Sequence, residues 1–234
     1  MSELKAYHLP GRWGLVSVSP FCLKLDAVLK MMDIPHQSIT ASTPFGGPKK
    51  KAPWIEHEGR KIGDSSFIVA YLVERFGKDP DAALTPAQRG QAVAIQRLVE
   101  ENLYWAMVYD RWVRDENWPI LKGSVLGQIP APIRALIAPK ARRDVKAQLR
   151  GHGMGLHSAA DVEAIAQRDI GALAGMLGNS DWFFGDQPTM TDAVVFSLLA
   201  NIRYVEFASP MKAMIDAHPN LAAFVDRFRV RFYP

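Results

Sequence analysis

Residues 51–72, KAPWIEHEGRKIGDSSFIVAYL, constrain the fold more than any other stretch of the sequence. Two strand-like segments, 54–55 and 61–62, flank the turn pair Glu58-Gly59, which predicts a β-hairpin. Pro53 directly precedes the first strand, where its missing N–H removes no ladder hydrogen bond. A hairpin of this kind needs further strands and a helix to cover it, so the stretch predicts an α/β domain.

The same stretch runs on into a capped helix. Asp64 or Ser65 can serve as the N-cap, because their side-chain oxygens accept hydrogen bonds from the unpaired N–H groups of a first helical turn. Apolar residues with helical spacing then follow, namely Phe67, Ile68, Tyr71 and Leu72. A helix N-terminus carries a partial positive charge, so this one is a place where a carboxylate can bind.

The preceding residues predict the order strand, helix, strand and loop. Segments 4–9 and 37–40 have strand-like composition, and a glycine- and proline-containing loop follows at 45–48. Between the two strands, Ser19 is a favourable N-cap and Pro20 a favourable first helical residue. The apolar side chains after them fall on one helical face: Phe21, Leu25, Val28, Leu29 and Met32.

These segments resemble the glutathione-binding half of the glutathione S-transferase family. In that family a cis proline precedes the third strand and an acidic residue followed by Ser opens the next helix. Ala52-Pro53 and Asp64-Ser65 occupy those places, with Asp64 where most members carry Glu. The resemblance implies a thioredoxin-like domain at 1–78 with a cis Ala52-Pro53 bond. It also implies these contacts with glutathione: Ala52, Pro53 and Trp54 beside the bend, Asp64 and Ser65 on the γ-glutamyl end, and Lys50 or Lys51 on the glycine carboxylate.

The sequence Ser19-Pro20-Phe21-Cys22 stands where related proteins carry out sulfur chemistry, often with Cys-Pro-Phe or Cys-Pro-Tyr. A serine cannot form the mixed disulfide of thiol exchange. It can donate a hydrogen bond to a bound thiolate and lower the pKa of the thiol, helped by the helix N-terminus. Ser17 is the second candidate for this role, and capping alone is the alternative for Ser19. Cys22 is interpreted as a buried helix residue rather than a nucleophile.

The second half of the chain predicts a helical domain at 86–234, separated by a linker at 77–84. Thr85-Pro86 begins its first helix, Ser158 and Asp161 form a capping box for a helix through Leu177, and 220–230 form the last helix. Glycines and prolines break the segment 117–155 repeatedly, and 151–155 predict a loop.

A second motif strengthens the resemblance. Residues 181–196, DWFFGDQPTMTDAVVF, match the family run of an apolar residue, Gly, Asp, any residue, Pro and Thr, with an Asp three residues after the Thr. Thr189 and Asp192 can pair at the start of a buried helix at 193–202, which is a structural role in the family. The fold expected for the whole chain is therefore the two-domain one: a thioredoxin-like α/β domain followed by an all-α domain.

Aromatic residues recur at helical spacing in the first helix of the second domain. Trp105, Tyr109 and Trp112 are four and three residues apart, and Tyr104 is adjacent. Such a stripe is most often a core or dimer contact. The resemblance implies that it also lines the pocket for an electrophilic substrate, together with Trp13 from the loop before the first helix.

The bulk properties exclude several other classes. One cysteine, Cys22, excludes an intramolecular disulfide and fits a reducing, cytoplasmic setting. No apolar run approaches the roughly 20 residues of a membrane span, and the N-terminus lacks the pattern of a secretory signal. The net charge of +4 is spread over dispersed clusters, so no nucleic-acid partner is expected. Six histidines without metal-ligand spacing predict no metal, and no phosphate loop or serine-hydrolase elbow is present.

The two motifs in the right order predict that the chain binds glutathione as co-substrate and conjugates it to a small, hydrophobic electrophile, a detoxification reaction. The resemblance further implies a homodimer. Within the superfamily the sequence looks like the branch related to failed axon connections and metaxin proteins, so a noncatalytic binding or interaction protein is the alternative. A glutaredoxin-like reductase ranks third, because the only thiol is at the wrong helical position.

Overall fold

A computed structural model describes residues 3–127 and 129–234. In these residues a four-stranded mixed sheet has the order β2-β1-β3-β4. Its strands are β1 Lys5–His8, β2 Gln37–Thr40, β3 Trp54–His57 and β4 Arg60–Gly63. β1 is parallel to β2 and antiparallel to β3, and β4 returns antiparallel to β3. With helices α1 (Pro20–Met31) and α2 (Ser65–Phe76), this confirms the predicted thioredoxin-like domain.

The predicted hairpin forms through a tight turn. Glu58 and Gly59 both have positive φ, 50° and 75°, the combination that matches a two-residue turn to the twist of its strands. At the far end of the hairpin, Gly63 lies opposite Trp54. A Cβ atom at Gly63 would lie 2.9 Å from Pro48 Cγ, so only glycine lets the preceding loop pack this closely.

Helix α1 is the central element of the molecule. Nine of its twelve residues are buried, including the charged Lys24 and Asp26. It packs against β1, α2, α8 and α10, so it faces the sheet on one side and the helical domain on the other. A helix surrounded in this way must be apolar on nearly all sides, as its sequence FCLKLDAVL largely is.

The second half of the described chain is helical, which confirms the predicted all-α domain. Residues 77–85 contain neither helix nor strand. The helices that follow are α3 (Pro86–Arg97), α4 (Tyr104–Trp112), α5 (Trp118–Ser124), α6 (Ala131–His152), α7 (Ala159–Leu177), α8 (Met190–Arg203), α9 (Pro210–Asp216) and α10 (Pro219–Phe232). A π-helical turn, Leu98–Leu103, joins α3 to α4 without a break, and short 3₁₀ turns occur at Pro44–Gly46 and Met154–Leu156. The Thr85 and Ser158 capping boxes are both present.

The expectation of repeated breaks at 117–155 is correct at Gly127 and Pro130, which lie between α5 and α6, but it is wrong for residues 131–152. Helix α6 runs for 22 residues with Pro139 inside it, and it extends to His152, into the segment predicted as a loop. Pro132 lies in its first turn, where the missing N–H costs nothing. Arg142, one turn after Pro139, ties the helix to the main-chain oxygens of Trp112 and Val113 at 2.9 Å each. These long-range bonds help to hold a helix that local sequence rules would end.

Helix α8 forms the centre of the helical domain, and all twelve residues from Thr191 to Ile202 are buried. The predicted pairing at its start is confirmed. The N–H and hydroxyl of Thr189 both donate to Asp192 Oδ2, at 2.7 and 2.8 Å, and the N–H of Phe183 donates to Oδ1 at 2.9 Å. Asp192 thus holds the loop at 183–189 against the N-terminus of α8. None of the helices in the described part of the chain is both long and apolar enough to cross a membrane.

Candidate functional site

The first group of candidate residues lies where the chain enters α1. Ser17 is completely buried, and its Oγ accepts a hydrogen bond of 3.3 Å from the N–H of Ser19. Ser19 is half-buried at the N-cap position, yet its side chain makes no capping hydrogen bond. The hydroxyl of Ser19 therefore does not cap the helix that follows it. Of the two predicted serines, Ser19 is the better placed to reach a ligand.

The thiol of Cys22 lies one turn into α1, beside these serines. Burial raises the pKa of Cys22, and hydrogen bonding from the Leu9 backbone, Ser19 and Ser17 offsets part of that effect. A buried thiol with a raised pKa stays protonated at neutral pH and is a poor nucleophile. The burial of this thiol agrees with the interpretation of Cys22 as a helix residue rather than a nucleophile.

An arginine that the sequence analysis missed supports this region from the helical domain. Arg111 is buried; its Nη1 donates to Val18 O at 2.8 Å, and its Nη2 donates to Asn201 O at 2.5 Å. Its Nε has no hydrogen-bond partner among the described residues, and no carboxylate there lies within ion-pair distance. Burial lowers the pKa of Arg111 to about 10. An uncompensated positive charge thus lies directly behind the Ser17–Ser19 backbone.

The second group surrounds the bend before β3. The Ala52-Pro53 bond is cis, as the resemblance predicts. Trp54 is 4% exposed and stacks on Tyr7 at 4.7 Å between ring centroids. A Cβ atom at Gly47 would lie 3.0 Å from Trp54 Cε3, so the preceding loop covers the indole closely. The Trp54 side chain is therefore occupied, and a ligand contact at this position would have to use the backbone.

The third group opens α2. Asp64 has φ 80° and ψ 120°, a strained conformation for a non-glycine residue, and its carboxylate accepts the N–H of Ser66 at 3.1 Å. Strain of this kind concentrates at functional sites. Ser65 is buried beside it at the positive end of the helix. Lys50 and Lys51 are exposed, whereas the unpredicted Lys49 is the lysine that approaches Asp64, at 3.4 Å.

A series of hydrogen-bonded polar side chains links α2 to α3, to the π-helical turn and to α1. Gln96 Nε2 donates to Ser66 Oγ at 3.0 Å and to Glu100 Oε2 at 2.7 Å. Glu100 Oε1 in turn accepts from the buried Lys24 Nζ of α1 at 2.5 Å. Glu100 lies in the π-helical turn, a type of distortion found frequently at functional sites. The signal in the sequence for this series was Lys24, a charge within an otherwise apolar helix face.

Of the five predicted pocket aromatics, Tyr104 and Trp105 contact each other, whereas the other three pack against different residues. Tyr104 contacts Phe21 of α1, 4.9 Å between ring centroids, and so lies near the serines. Trp105 also touches Tyr104 but stacks on His152 at the end of α6. The remaining three point elsewhere or into the core: Trp112 packs on Trp118, Trp13 on Phe207, and Tyr109 against the hydrophobic core.

A small cavity lies beside Tyr104. Its walls include Pro20 and Phe21 of α1, Glu100, Tyr104, and Val194 of α8. The cavity therefore lies next to the start of α1 and to the Lys24–Glu100 ion pair. Of the five predicted aromatics, only Tyr104 lines it.

Comparison with known proteins agrees with these features. The family description "Glutathione S-transferase N-terminal domain" matches residues 20–117, and "Glutathione S-transferase, C-terminal domain" matches residues 166–228. The chain is 30% identical to isoprene-epoxide–glutathione S-transferase of Rhodococcus sp. (strain AD45), over 98% of this chain and 99% of that protein.

Two other relatives belong to the branch that the sequence indicates. The chain is 31% identical to Failed axon connections of Drosophila melanogaster over 94% of its own length, but it spans only 56% of the fly protein. Metaxin-2 of Homo sapiens is 25% identical over 97% of this chain and 87% of that protein. Among solved structures, a glutathione S-transferase of Ceriporiopsis subvermispora in complex with glutathione shares the fold, with a TM-score of 0.68 at 17% identity over 99% and 98% of the two chains.

Proposed function

Because the chain belongs to the glutathione S-transferase family, in the branch that includes failed axon connections and metaxins, we propose that it binds glutathione and transfers its sulfur to a small electrophile. The observation that carries this proposal is Ser19. Its hydroxyl lies at the start of α1 without serving as a helix cap, beside Ser17 and in front of the buried Arg111. The absence of a capping hydrogen bond from this side chain supports a role for the hydroxyl in activating a bound thiol.

In the proposed reaction the glutathione thiol loses its proton to water, and Ser19 donates a hydrogen bond to the resulting thiolate. The N-terminus of α1 and the charge of Arg111 also favour the anion. The similarity to an enzyme named for isoprene epoxide suggests an epoxide as the first electrophile to test. The sulfur then forms a bond to an epoxide carbon, the carbon–oxygen bond breaks, and the oxygen takes a proton from water.

The remaining site residues hold glutathione in place in this proposal. Ser65 and Asp64 at the start of α2 bind the γ-glutamyl end, and backbone groups at Ala52 and Trp54 beside Pro53 pair with the peptide. Lys50 or Lys51 meets the glycine carboxylate from the exposed loop. Tyr104 borders the electrophile. A homodimer and a cytoplasmic location are further proposals that rest on the family resemblance and on the lone cysteine.

The test is a pH–rate profile for conjugation beside a glutathione binding titration. Ser19→Ala should lower turnover and raise the pH at which conjugation begins, with little change in affinity, because its hydroxyl acts on the thiolate. Ser65→Ala should mainly weaken binding, because its contact exists in ground and transition states alike. Ser17→Ala is the matched control: if it changes the profile and Ser19→Ala does not, the roles are exchanged.

The competing function is that of a binding protein without conjugating activity. It is favoured by the close contact of Phe21 with Tyr104, which leaves only a small cavity beside the serines. Wild-type protein that binds glutathione but conjugates no electrophile would support this alternative. Wild-type protein that binds no glutathione would refute the proposed transferase.

A further inference from the structure

Helix α6 carries the whole net positive charge of the chain. It contains six basic side chains and one acidic one, Asp144, which gives it a net charge of +5, against +4 for the complete sequence. All other residues together are therefore close to neutral, at −1. The basic side chains are Arg134, Lys140, Arg142, Arg143, Lys146 and Arg150.

The same helix exposes aliphatic side chains. Only Ala138 and Leu149 of its residues are buried, so the helix lies on the surface. Ile133, Leu136 and Ile137 are 51%, 80% and 43% exposed, three large apolar side chains within about one turn. Scattered exposed aliphatics are normal, but three on one turn of a strongly basic helix form a defined amphipathic surface.

These residues form one outward face. The positions 133, 136, 140, 143, 147 and 150 are separated by three and four residues in alternation, which keeps them in line along a helix. All six are exposed. The first two are the aliphatic Ile133 and Leu136, and the later ones include the cations Lys140, Arg143 and Arg150. We call this line the outer face of α6.

Two of the other arginines of α6 serve the fold instead. Arg142 turns inward to the Trp112 and Val113 carbonyls and to Asp115 at 2.7 Å. Arg134 donates to Gly127 O at 3.2 Å. On the outer face, Lys140 pairs with Asp144 at 2.6 Å within the helix, and in the described chain no carboxylate lies within ion-pair distance of Arg143 or Arg150. Arg143 and Arg150 are thus the cations of the outer face that the described part of the chain does not neutralise.

We propose that the outer face of α6 binds the surface of an anionic lipid bilayer. Aliphatic side chains can enter the boundary between headgroups and acyl chains, while lysine and arginine on the same helix contact lipid phosphates. Charge complementarity selects this occupant, because anionic lipids attract a cationic surface. A second copy of the chain docked symmetrically would place two helices of net charge +5 against each other. Nucleic acid would use the cations but not Ile133 and Leu136.

The experiment is sedimentation of the 234-residue protein with vesicles of phosphatidylcholine alone and of phosphatidylcholine with an equal amount of phosphatidylglycerol. The protein should bind only the anionic vesicles and should be released by high salt. Arg143→Gln with Arg150→Gln should weaken binding about fivefold for each cation removed. Leu136→Gln should weaken it severalfold without changing the net charge.

Matched controls separate this surface from general charge and hydrophobicity. Val230→Gln changes an apolar side chain that is 73% exposed elsewhere, and Lys122→Gln with Arg168→Gln removes two exposed cations outside α6. Neither control should change binding to anionic vesicles. Absence of lipid binding, or an equal loss in the control variants, would overturn the proposal. So would a change from dimer to monomer caused by Leu136→Gln in light scattering, which would identify the face as a contact between copies.

Discussion

Replacing Asp192 by asparagine measures the energetic cost of a carboxylate that the fold keeps completely buried. Asp192 accepts hydrogen bonds from Thr189 and Phe183 but has no cationic partner among the described residues. Burial raises the pKa of Asp192 from 3.8 to about 6, even though the hydrogen bonds act in the opposite direction. The protonated form is therefore favoured more by the folded protein than by the unfolded chain.

The size of this effect on the free energy of unfolding follows from the difference between the unfolded and folded pKa values of Asp192. Each pH unit between them corresponds to about 1.4 kcal/mol, so the full effect of Asp192 is about 3 kcal/mol. Because the folded pKa is the higher one, this stability is fully present below pH 3.8 and is lost as pH rises through about 6. The contribution of Asp192 to the free energy of unfolding should thus increase as the protein is acidified from neutral pH.

The assay is urea unfolding of wild type and Asp192→Asn at several pH values from about 4 to 7. Asparagine cannot titrate, and its NH₂ group would face N–H and O–H groups that donate to the carboxylate in the wild type. The Asp192→Asn protein should therefore be less stable than the wild type at every pH, by about 1–3 kcal/mol at neutral pH. The gap between the two proteins should widen by about 2–2.5 kcal/mol between pH 7 and pH 4, which is most of the full effect, while shared groups cancel in the difference. A gap that stays constant over this range would refute the reasoning.

Three other substitutions probe the contacts described above. Thr189→Ala should lower the free energy of unfolding by about 0.5–2 kcal/mol in urea titrations and leave glutathione affinity unchanged; a large affinity loss at full stability would contradict its structural role. Lys24→Met should cost about 1–3 kcal/mol, because it leaves the partly buried Glu100 with the Gln96 hydrogen bond but without its cation. Glu100→Gln in the same chain should restore much of this stability, whereas additive losses would exclude the ion pair. Arg111→Met should raise the pH at which bound glutathione ionises, by about one pH unit, because it removes the buried positive charge behind the Ser17–Ser19 backbone. Thiolate absorbance measures this titration, and an unchanged titration would exclude Arg111 from thiol activation.

Local sequence signals predicted most of the fold because they act over a few residues. The Glu58-Gly59 turn, the Asp64 cap and the pairing of Thr189 with Asp192 each depend on neighbours in the chain, and each is present. The cis Ala52-Pro53 bond was different, since no local rule requires it and only the family resemblance predicted it.

What the sequence could not show depends on distant partners. Arg111 is buried because Val18 and Asn201 offer it carbonyl oxygens, and these lie 93 and 90 residues away in the chain. Lys24 finds Glu100 across 76 residues. The prediction that Pro139 breaks the helix was wrong for a similar reason. The hydrogen bonds of Arg142 to the rest of the domain stabilise α6 by more than the loss of the one backbone hydrogen bond that the proline removes. The candidate site residues could be proposed from sequence, but the buried charges that lie beside them could not.

Because α1 is buried between the sheet and the helical domain, its packing has a consequence for expressing the two halves of the chain separately. A polypeptide ending near residue 78 would leave the faces of α1 that pack on α8 and α10 open to water. Apolar surface of that extent drives aggregation of an isolated fragment. Two half-genes cut within 77–85 should therefore yield folded protein only when expressed together, each fragment supplying the missing half of the other's core. This property makes the segment 77–85 a natural split point for a fragment-complementation reporter.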